Sequence, residues 1–98
     1  MTHYITKELL IQKKIDTMFK LTKNDPNFDF SKSGCRVEFV SMNDPYHSLA
    51  RGSKGTIIYI HSSDPMSRVI VIEWDNGHQI SLIEGKDNYH IIPKDESK

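Results

Sequence analysis

Apolar residues recur at helical spacing in the first quarter of the chain, and they predict an amphipathic helix. The stripe is formed by these residues: Leu9, Leu10, Ile11, Ile15, Met18, Phe19 and Leu21. Four of them, Ile11, Ile15, Met18 and Phe19, are spaced at i, i+4, i+7 and i+8. This spacing places their side chains on one face of an α-helix. We expect the helix to run from Thr6 to about Lys23, with Thr2 or Thr6 as its N-cap. It ends there because Pro26 forces the residue before it out of the α-helical region.

From Gly34 to Pro93 the pattern changes to short β-branched and alternating runs, which predict strands. Five runs are expected to be strands: 35–40, 55–61, 69–74, 79–83 and 90–92. A long loop, Ser41 to Lys54, separates the first two, and later connections are tight. The pair Asn76-Gly77 predicts a type I′ hairpin turn with two positive φ angles. Together these elements predict an α+β protein in which the N-terminal amphipathic helix precedes a five-stranded SH3-like β-barrel.

This reading divides the chain into three parts. Residues 1–33 form the helix and a linker, residues 34–93 the barrel, and residues 94–98 a polar C-terminal tail. Phe28 and Phe30 are expected to attach the linker to the barrel. An isolated helix of this length is only marginally stable in water, so its apolar stripe is expected to be buried against another surface. Three surfaces are possible: its own barrel, the same helix of a second subunit in a homodimer, or a groove of a partner.

Composition narrows the classes of partner. The chain has 98 residues, which fits one domain, and 13 basic residues balance 13 acidic ones. The neutral total removes the general electrostatic argument for nucleic acid or a membrane as partner. The single cysteine, Cys35, excludes an internal disulfide. No apolar run reaches the roughly 18 residues of a membrane span, and the N-terminus lacks the apolar core of a signal peptide. We expect a cytoplasmic protein.

Several spaced motifs in the second part resemble a known family. They are Gly34, Arg36-Val37, Ser41 to Tyr46, Gly52, Gly55-Thr56, Glu73 to Gly77 and Leu82 to Asp87. With these motifs, residues 34 to 93 resemble the domain of unknown function 4314 family, small proteins of phages and bacterial mobile elements, chiefly of Firmicutes. The resemblance implies a mobile-element origin and a barrel, but it implies no activity. The N-terminal helix lies outside it.

The sequence contains no arrangement typical of catalysis or metal binding. Its five histidines lack ligand spacing such as His-x-x-x-His, and no paired cysteines or carboxylate cluster accompany them. No order of serine or cysteine with histidine and aspartate suggests a nucleophilic triad. We therefore expect no enzyme activity, no catalytic residue, no metal and no cofactor.

Eight residues are candidates for partner binding, chosen from loops, turns and exposed aromatic or charged positions: Asp44, Tyr46, Arg51, Lys54, Trp74, Asp75, Lys86 and Tyr89. Trp74 has two alternative roles, as an aromatic platform for a ligand or as a core residue of the barrel. The turn at Asp44-Pro45-Tyr46 lies in the longest loop, where SH3-like barrels usually bind, but a turn whose aromatic residue packs back on the barrel explains it equally well.

These observations leave three functions open. The first is a non-enzymatic protein of phage or mobile-element origin that binds a host protein, such as a nucleic-acid-binding defence effector, and inhibits it as an anti-CRISPR does. The second is an RNA or single-stranded DNA binder of KOW type, in which Tyr46 and Trp74 stack bases. It is less favoured because acidic residues are scattered among the five cations that would contact phosphates: Arg36, Arg51, Lys54, Arg68 and Lys86. The third is capture of a small nucleotide signal around Tyr46 and Trp74.

Overall fold

The computed structural model describes residues 6–64 and 66–93, which form one helix and a mostly antiparallel sheet. Thr2 and the polar tail 94–98 lie outside the described residues. The elements, in chain order, are α1 (Lys7–Thr22), β1 (Phe28–Asp29), β2 (Arg36–Ser41), β3 (Lys54–Asp64), β4 (Ser67–Trp74), β5 (Leu82–Ile83) and β6 (Asn88–Ile92). The α+β class and the N-terminal helix are thus confirmed.

Helix α1 begins and ends where the sequence pattern places it. The Thr6 side-chain oxygen accepts a hydrogen bond from the backbone N–H of Leu9 at 3.2 Å, which satisfies one of the N–H groups left free at a helix start. Past the last turn, the N–H of Asp25 bonds to the carbonyl of Thr22 at 2.8 Å. Pro26 follows directly, and the chain turns toward the sheet.

The expected five-stranded, closed barrel is wrong. The sheet has six strands in the order β5-β4-β3-β2-β6, with β1 paired to β3, and within residues 6–64 and 66–93 no pairing joins β5 to β6. The additional strand comes from the expected linker, where Phe28 lies opposite His61. Strand β3 spans 11 residues and shifts register between Ile57 and Tyr59. One half of β3 pairs with β2 and the other with β1, so the sheet stays open.

The Asn76-Gly77 turn also differs from the expectation. Gly77 has φ +85°, but no other residue type among those described has a positive φ, so the turn is not type I′. Instead, the Gly77 N–H bonds to the carbonyl of Trp74 at 3.0 Å, and the chain then runs as a loop until Leu82. The expected strand 79–83 is therefore reduced to two residues. The loop is held because the Trp74 indole N–H donates to the carbonyl of Ile80 at 2.7 Å.

The sheet has an apolar cluster on each face. The larger cluster is built from fully buried side chains of four strands and the long loop: Val37, Phe39, Leu49, Ile57, Ile60, Ile70, Ile72, Trp74 and Leu82. The smaller cluster lies under α1, where Ile11 and Ile15 pack against Ile58 of β3. Alternate residues of a strand point to opposite faces, so β3 and β4 serve both clusters. The helix thus packs on its own sheet.

Candidate functional site

A groove of about 820 Å³ lies between α1 and β4. Its floor is apolar and includes Ile58, Tyr59 and Val71. One wall is the flank of α1 that carries Leu10 and Met18, and the opposite wall is the loop at residues 78–81. We call it the α1–β4 groove. It holds apolar side chains at a surface that solvent can enter.

The groove lies beside the contacts that α1 makes with β3 and with the segment that follows β1. On the β1 side, the rings of Phe19 and Phe30 meet edge to face at 5.3 Å between centroids, and Phe30 also lies 5.8 Å from Tyr59. Such aromatic pairs fill that side of the helix. On the β4 side, Val71 packs against the cluster under the helix, but Leu10 stays 48% exposed. The predicted stripe is therefore only partly buried.

Ion pairs join α1 to β4 and to Asp75, which follows β4. The ammonium group of Lys14 lies 2.9 Å from both carboxylate oxygens of Glu73 on β4. Nearer the start of the helix, Lys7 donates to the backbone carbonyl of Asp75 at 3.0 Å, and its ammonium group lies 3.8 Å from the Asp75 carboxylate. Exposed pairs of this kind contribute little stability, about 0–1 kcal/mol each. Their effect is to keep the wall of the groove in register with β4.

Asp75 is the centre of the charge arrangement at this end of the sheet. The Arg36 guanidinium donates two hydrogen bonds to its carboxylate, at 2.8 and 2.6 Å, a bidentate geometry typical of strong charge-assisted bonds. These bonds hold the pKa of the Asp75 carboxyl below its usual value, with burial opposing the shift and Lys7 and Lys54 adding to it. The same pair raises the pKa of Arg36. Both groups stay charged and satisfied by each other.

The backbone at the edge of β4 also lies in the groove. Strand β5 pairs with β4 only as far as Leu82 opposite Ile70, and the loop then leaves the sheet. The Arg68 carbonyl accepts from the Glu84 N–H, whereas the Asp75 N–H bonds to Lys54 on β3. Successive residues of a strand direct their N–H and C=O groups to alternate neighbouring strands. Ile72 lies four residues after Arg68, so its N–H and C=O point to the same side as those of Arg68, where β5 has already ended. Ile72 lines the groove, although its side chain belongs to the core on the other face.

The long loop carries three of the residues predicted to bind a partner. Asp44 accepts a hydrogen bond from the Tyr46 N–H at 2.9 Å, which closes a local turn. Tyr46 is 92% exposed, so its ring does not pack back on the sheet. Arg51 is exposed as well. The loop is anchored from below by Leu49, which is buried in the larger cluster.

Lys54, Trp74 and Asp75 meet at the start of β3 and the end of β4. The carbonyl of Lys54 accepts the N–H of Asp75 at 2.9 Å, and the Lys54 side chain is exposed. Trp74 is only 1% exposed, and its ring meets that of Phe39 edge to face at 6.1 Å. Of the two roles considered for Trp74, the geometry supports the core residue. A base or ligand reaches this ring only after the 75–81 loop has opened.

Lys86 lies in the turn between β5 and β6, and Tyr89 lies on β6, where it pairs with Phe39 of β2. Lys86 is exposed in the turn between β5 and β6, and the half-buried Tyr89 packs against the larger cluster. Burial raises the pKa of the Tyr89 hydroxyl. The eight predicted residues are thus distributed over the long loop, the β3–β4 end, the β5–β6 turn and β6. Because Trp74 is buried, they do not all belong to one exposed surface.

The chain matches a protein family over residues 29–92, and the family is described as a domain of unknown function (DUF4314). The chain belongs to the DUF4314 family. No curated protein and no solved structure matches it. The match begins within β1, so the floor and loop wall of the α1–β4 groove come from the DUF4314 domain, whereas its helical wall precedes the matched residues. The groove therefore lies at the junction between them.

Two features of this DUF4314 chain were missed in the sequence. Asp87 is only 7% exposed: its two carboxylate oxygens accept the N–H groups of Asn43 and Ile83, at 2.9 and 2.8 Å. The other is the groove itself. A sequence signal existed for it, because the apolar stripe of α1 is wider than one contact face, with Leu10 at its margin.

The described residues show no further sites of known type. Within 6–64 and 66–93 no three His, Cys, Asp or Glu side chains gather as metal ligands would. In the same ranges, no helix is long and apolar enough to cross a membrane.

Proposed function

We propose that this DUF4314 chain is a non-enzymatic binding protein of phage or mobile-element origin, acting in the host bacterial cytoplasm. Its partner is a host protein, a defence effector that it inhibits by occupying a functional surface. The family resemblance supports the mobile-element origin in this proposal, and the α1–β4 groove supports the mode of binding.

The observation that carries the proposal is the apolar groove beside an exposed leucine. Contiguous apolar surface at the edge of a small protein commonly marks a site for another protein. Leu10 lies at the rim, and the floor of Ile58 and Val71 is already part of a packed cluster. An apolar side chain of a partner would extend that cluster, and each fully buried aliphatic side chain stabilises a complex by about 1.5–3 kcal/mol before the costs of association.

Charge favours a protein over nucleic acid. Two of the cations considered for a phosphate backbone are already paired, since Arg36 binds Asp75 and Arg68 binds both Asp29 and Glu84. If these arginines bound phosphate instead, the new bonds would replace existing bonds to carboxylates, so the net gain in binding free energy would be small. The surface that remains mixes both signs, as on most protein-binding domains.

The test uses two leucines that are adjacent in sequence but lie on different faces of α1. Leu10→Asp places a carboxylate at the groove, whereas Leu9→Asp is the matched control, because Leu9 is 54% exposed and does not line the groove. Expressed in bacteria that carry a defence system sensitive to the chain, the wild type and Leu9→Asp should raise phage plating, and Leu10→Asp should not. A photo-crosslinking residue at position 10 should join the defence protein, and one at position 9 should not.

Two outcomes would contradict the proposal. If no host protein is crosslinked from position 10 in any tested strain, the groove does not bind a host protein. If Leu10→Asp inhibits defence as well as the wild type while circular dichroism shows both folded, the inhibitory surface lies elsewhere.

Binding of RNA or single-stranded DNA is the second candidate, because Tyr46 is almost completely exposed and lies in one loop with Arg51. In the described ranges, Arg51, Lys54 and Lys86 form no ion pair, which leaves them able to contact phosphates. Stacking of a base on an aromatic ring contributes about 1–3 kcal/mol. Gel shifts at low salt with the wild type and Tyr46→Ala test it, and no shift with the wild type would exclude it. A nucleotide pocket shared by Tyr46 and Trp74 has no such support, since one ring is exposed and the other buried.

A further inference from the structure

The charges around the α1–β4 groove have one predominant sign. The helix α1 contains four lysines and two acidic residues, although the whole chain is neutral. Three of those lysines, Lys7, Lys13 and Lys14, line the groove, and Glu73 is its one acidic lining residue among those described. Lys14 is paired with Glu73 and Lys7 with Asp75. Lys13 is exposed and forms no ion pair within the described residues. The rim therefore carries positive charge that an occupant can neutralise.

This charge disfavours a second copy of the chain as the occupant. A symmetric dimer through α1 would place the same lysine-rich helix against itself. Like charges brought together across an interface cost free energy unless acidic residues separate them. A partner segment with the opposite charge removes that cost and gains attraction from Lys13.

The edge of β4 adds a polar element to the site. The N–H and C=O of Ile72 face the gap left by β5, and in the described residues neither has a backbone partner on that side. Unpaired N–H and C=O groups at a strand edge are a template for pairing with another extended chain. A peptide supplies both a carbonyl and an N–H at the spacing of a strand, whereas an apolar small molecule supplies neither.

Resting on the protein-binding function proposed above, we infer that the α1–β4 groove takes a peptide segment that carries apolar side chains and an excess of Asp and Glu. The apolar side chains contact Leu10 and Val71 and extend the small cluster. The carboxylates face Lys13 at the rim. The peptide backbone bonds to Ile72 at the open edge of β4.

The experiment selects displayed random peptides on the full 98-residue chain, with Leu10→Asp as the counter-selection. Recovered peptides should be apolar and acidic. By fluorescence anisotropy they should bind the wild type and Leu9→Asp equally, and Leu10→Asp about tenfold or more weakly. Lys13→Glu should weaken binding about threefold to tenfold, because it reverses one exposed charge. Addition of peptide should slow hydrogen exchange of the Ile72 amide.

The opposite results overturn the inference. Recovery of no peptide, recovery of basic or uncharged peptides, or unchanged binding to Lys13→Glu would each show that the occupant is not an acidic segment. A dimer in sedimentation experiments that disappears in Leu10→Asp would show that a second copy fills the groove. If the host protein is still crosslinked from position 10 under any of these results, the proposed function stands and only the inference fails.

Discussion

Replacing Asp87 by alanine should destabilise the fold strongly, although the residue lies in a turn. Its carboxylate accepts hydrogen bonds from the N–H groups of Asn43 and Ile83, at 2.9 and 2.8 Å, and it is only 7% exposed. Asn43 begins the long loop and Ile83 ends β5, so one side chain joins two segments that are distant in sequence. Alanine removes both acceptors, so the N–H groups of the exposed Asn43 and the half-buried Ile83 lose their shared partner.

The magnitude follows from these two bonds. A hydrogen bond to a charged group contributes about 1.5–3 kcal/mol, and an unsatisfied buried donor costs about 1–3 kcal/mol. Partial access of water reduces the sum, so we expect a loss of about 2–4 kcal/mol for Asp87→Ala. A domain of this size has a total stability of about 5–15 kcal/mol. The substitution therefore removes a large part of it.

Urea unfolding followed by tryptophan fluorescence measures this loss, because the buried Trp74 reports on the core. With a slope of about 2 kcal/mol per molar urea, the middle of the usual range for small proteins, the midpoint should fall by about 1–2 M. The matched control is Asp44→Ala, since Asp44 also accepts a backbone N–H at 2.9 Å but is exposed; it should change stability by less than about 0.5 kcal/mol. If the two variants lose the same stability, or Asp87→Ala loses less than about 1 kcal/mol, burial of the carboxylate does not have the role described.

Three further predictions concern the β3–β4 end of the sheet. The Arg36 bonds lower the pKa of Asp75 in the folded state, so their contribution to stability is present above the ordinary carboxyl pKa, about 3.9, and is lost as the pH falls through the lowered value. When the pH is lowered from neutral to about 3, the urea midpoint should therefore decrease less in Asp75→Asn than in the wild type. An equal decrease would show that the Arg36–Asp75 pair does not cause this pH dependence. Gly55→Ala should cost about 1–3 kcal/mol, because its methyl group would lie 2.9 Å from the Trp74 ring and 2.8 Å from a carbonyl oxygen; unchanged thermal unfolding would show that the strands move apart freely. Trp74→Phe should cost about 1–3 kcal/mol, because the indole bond to the Ile80 carbonyl is lost, and amides of the 75–81 loop should exchange faster. Exchange rates equal to those of the wild type would show that this bond does not hold the loop.

The helix was predictable because its signals are local. Thr6 caps it, Pro26 follows its end, and Ile11 and Ile15 are the buried positions of its stripe. Each signal acts within a few residues, so the sequence contains all of the required information. The position of α1 on the sheet depends on the contact of Phe19 with Phe30 and on the ion pair of Lys14 with Glu73. These partners are distant in sequence, so no local pattern specifies the position.

The strand prediction failed where strand length depended on pairing. The apolar run at 79–83 has the composition of a strand, but only Leu82 and Ile83 pair with β4. Residues 79–81 do not pair with β4, because the turn at Gly77 and the hydrogen bond from the Trp74 indole to the Ile80 carbonyl hold them in a loop. Conversely, Phe28 and Asp29 resemble a linker and become a strand, because the long β3 offers them an edge.

The sequence by itself determined the class of the protein: an N-terminal helix, a β-rich segment of the DUF4314 family and a neutral mixed surface. These properties depend on periodicity, on spaced motifs and on composition, all of which can be read along one chain. Only the tertiary structure decided that the sheet stays open, that Asp87 is buried, that Trp74 is a core residue, and that a groove remains beside Leu10. Each of these depends on which distant segments meet, and hydrophobic periodicity does not encode that choice because many pairings bury the same apolar residues.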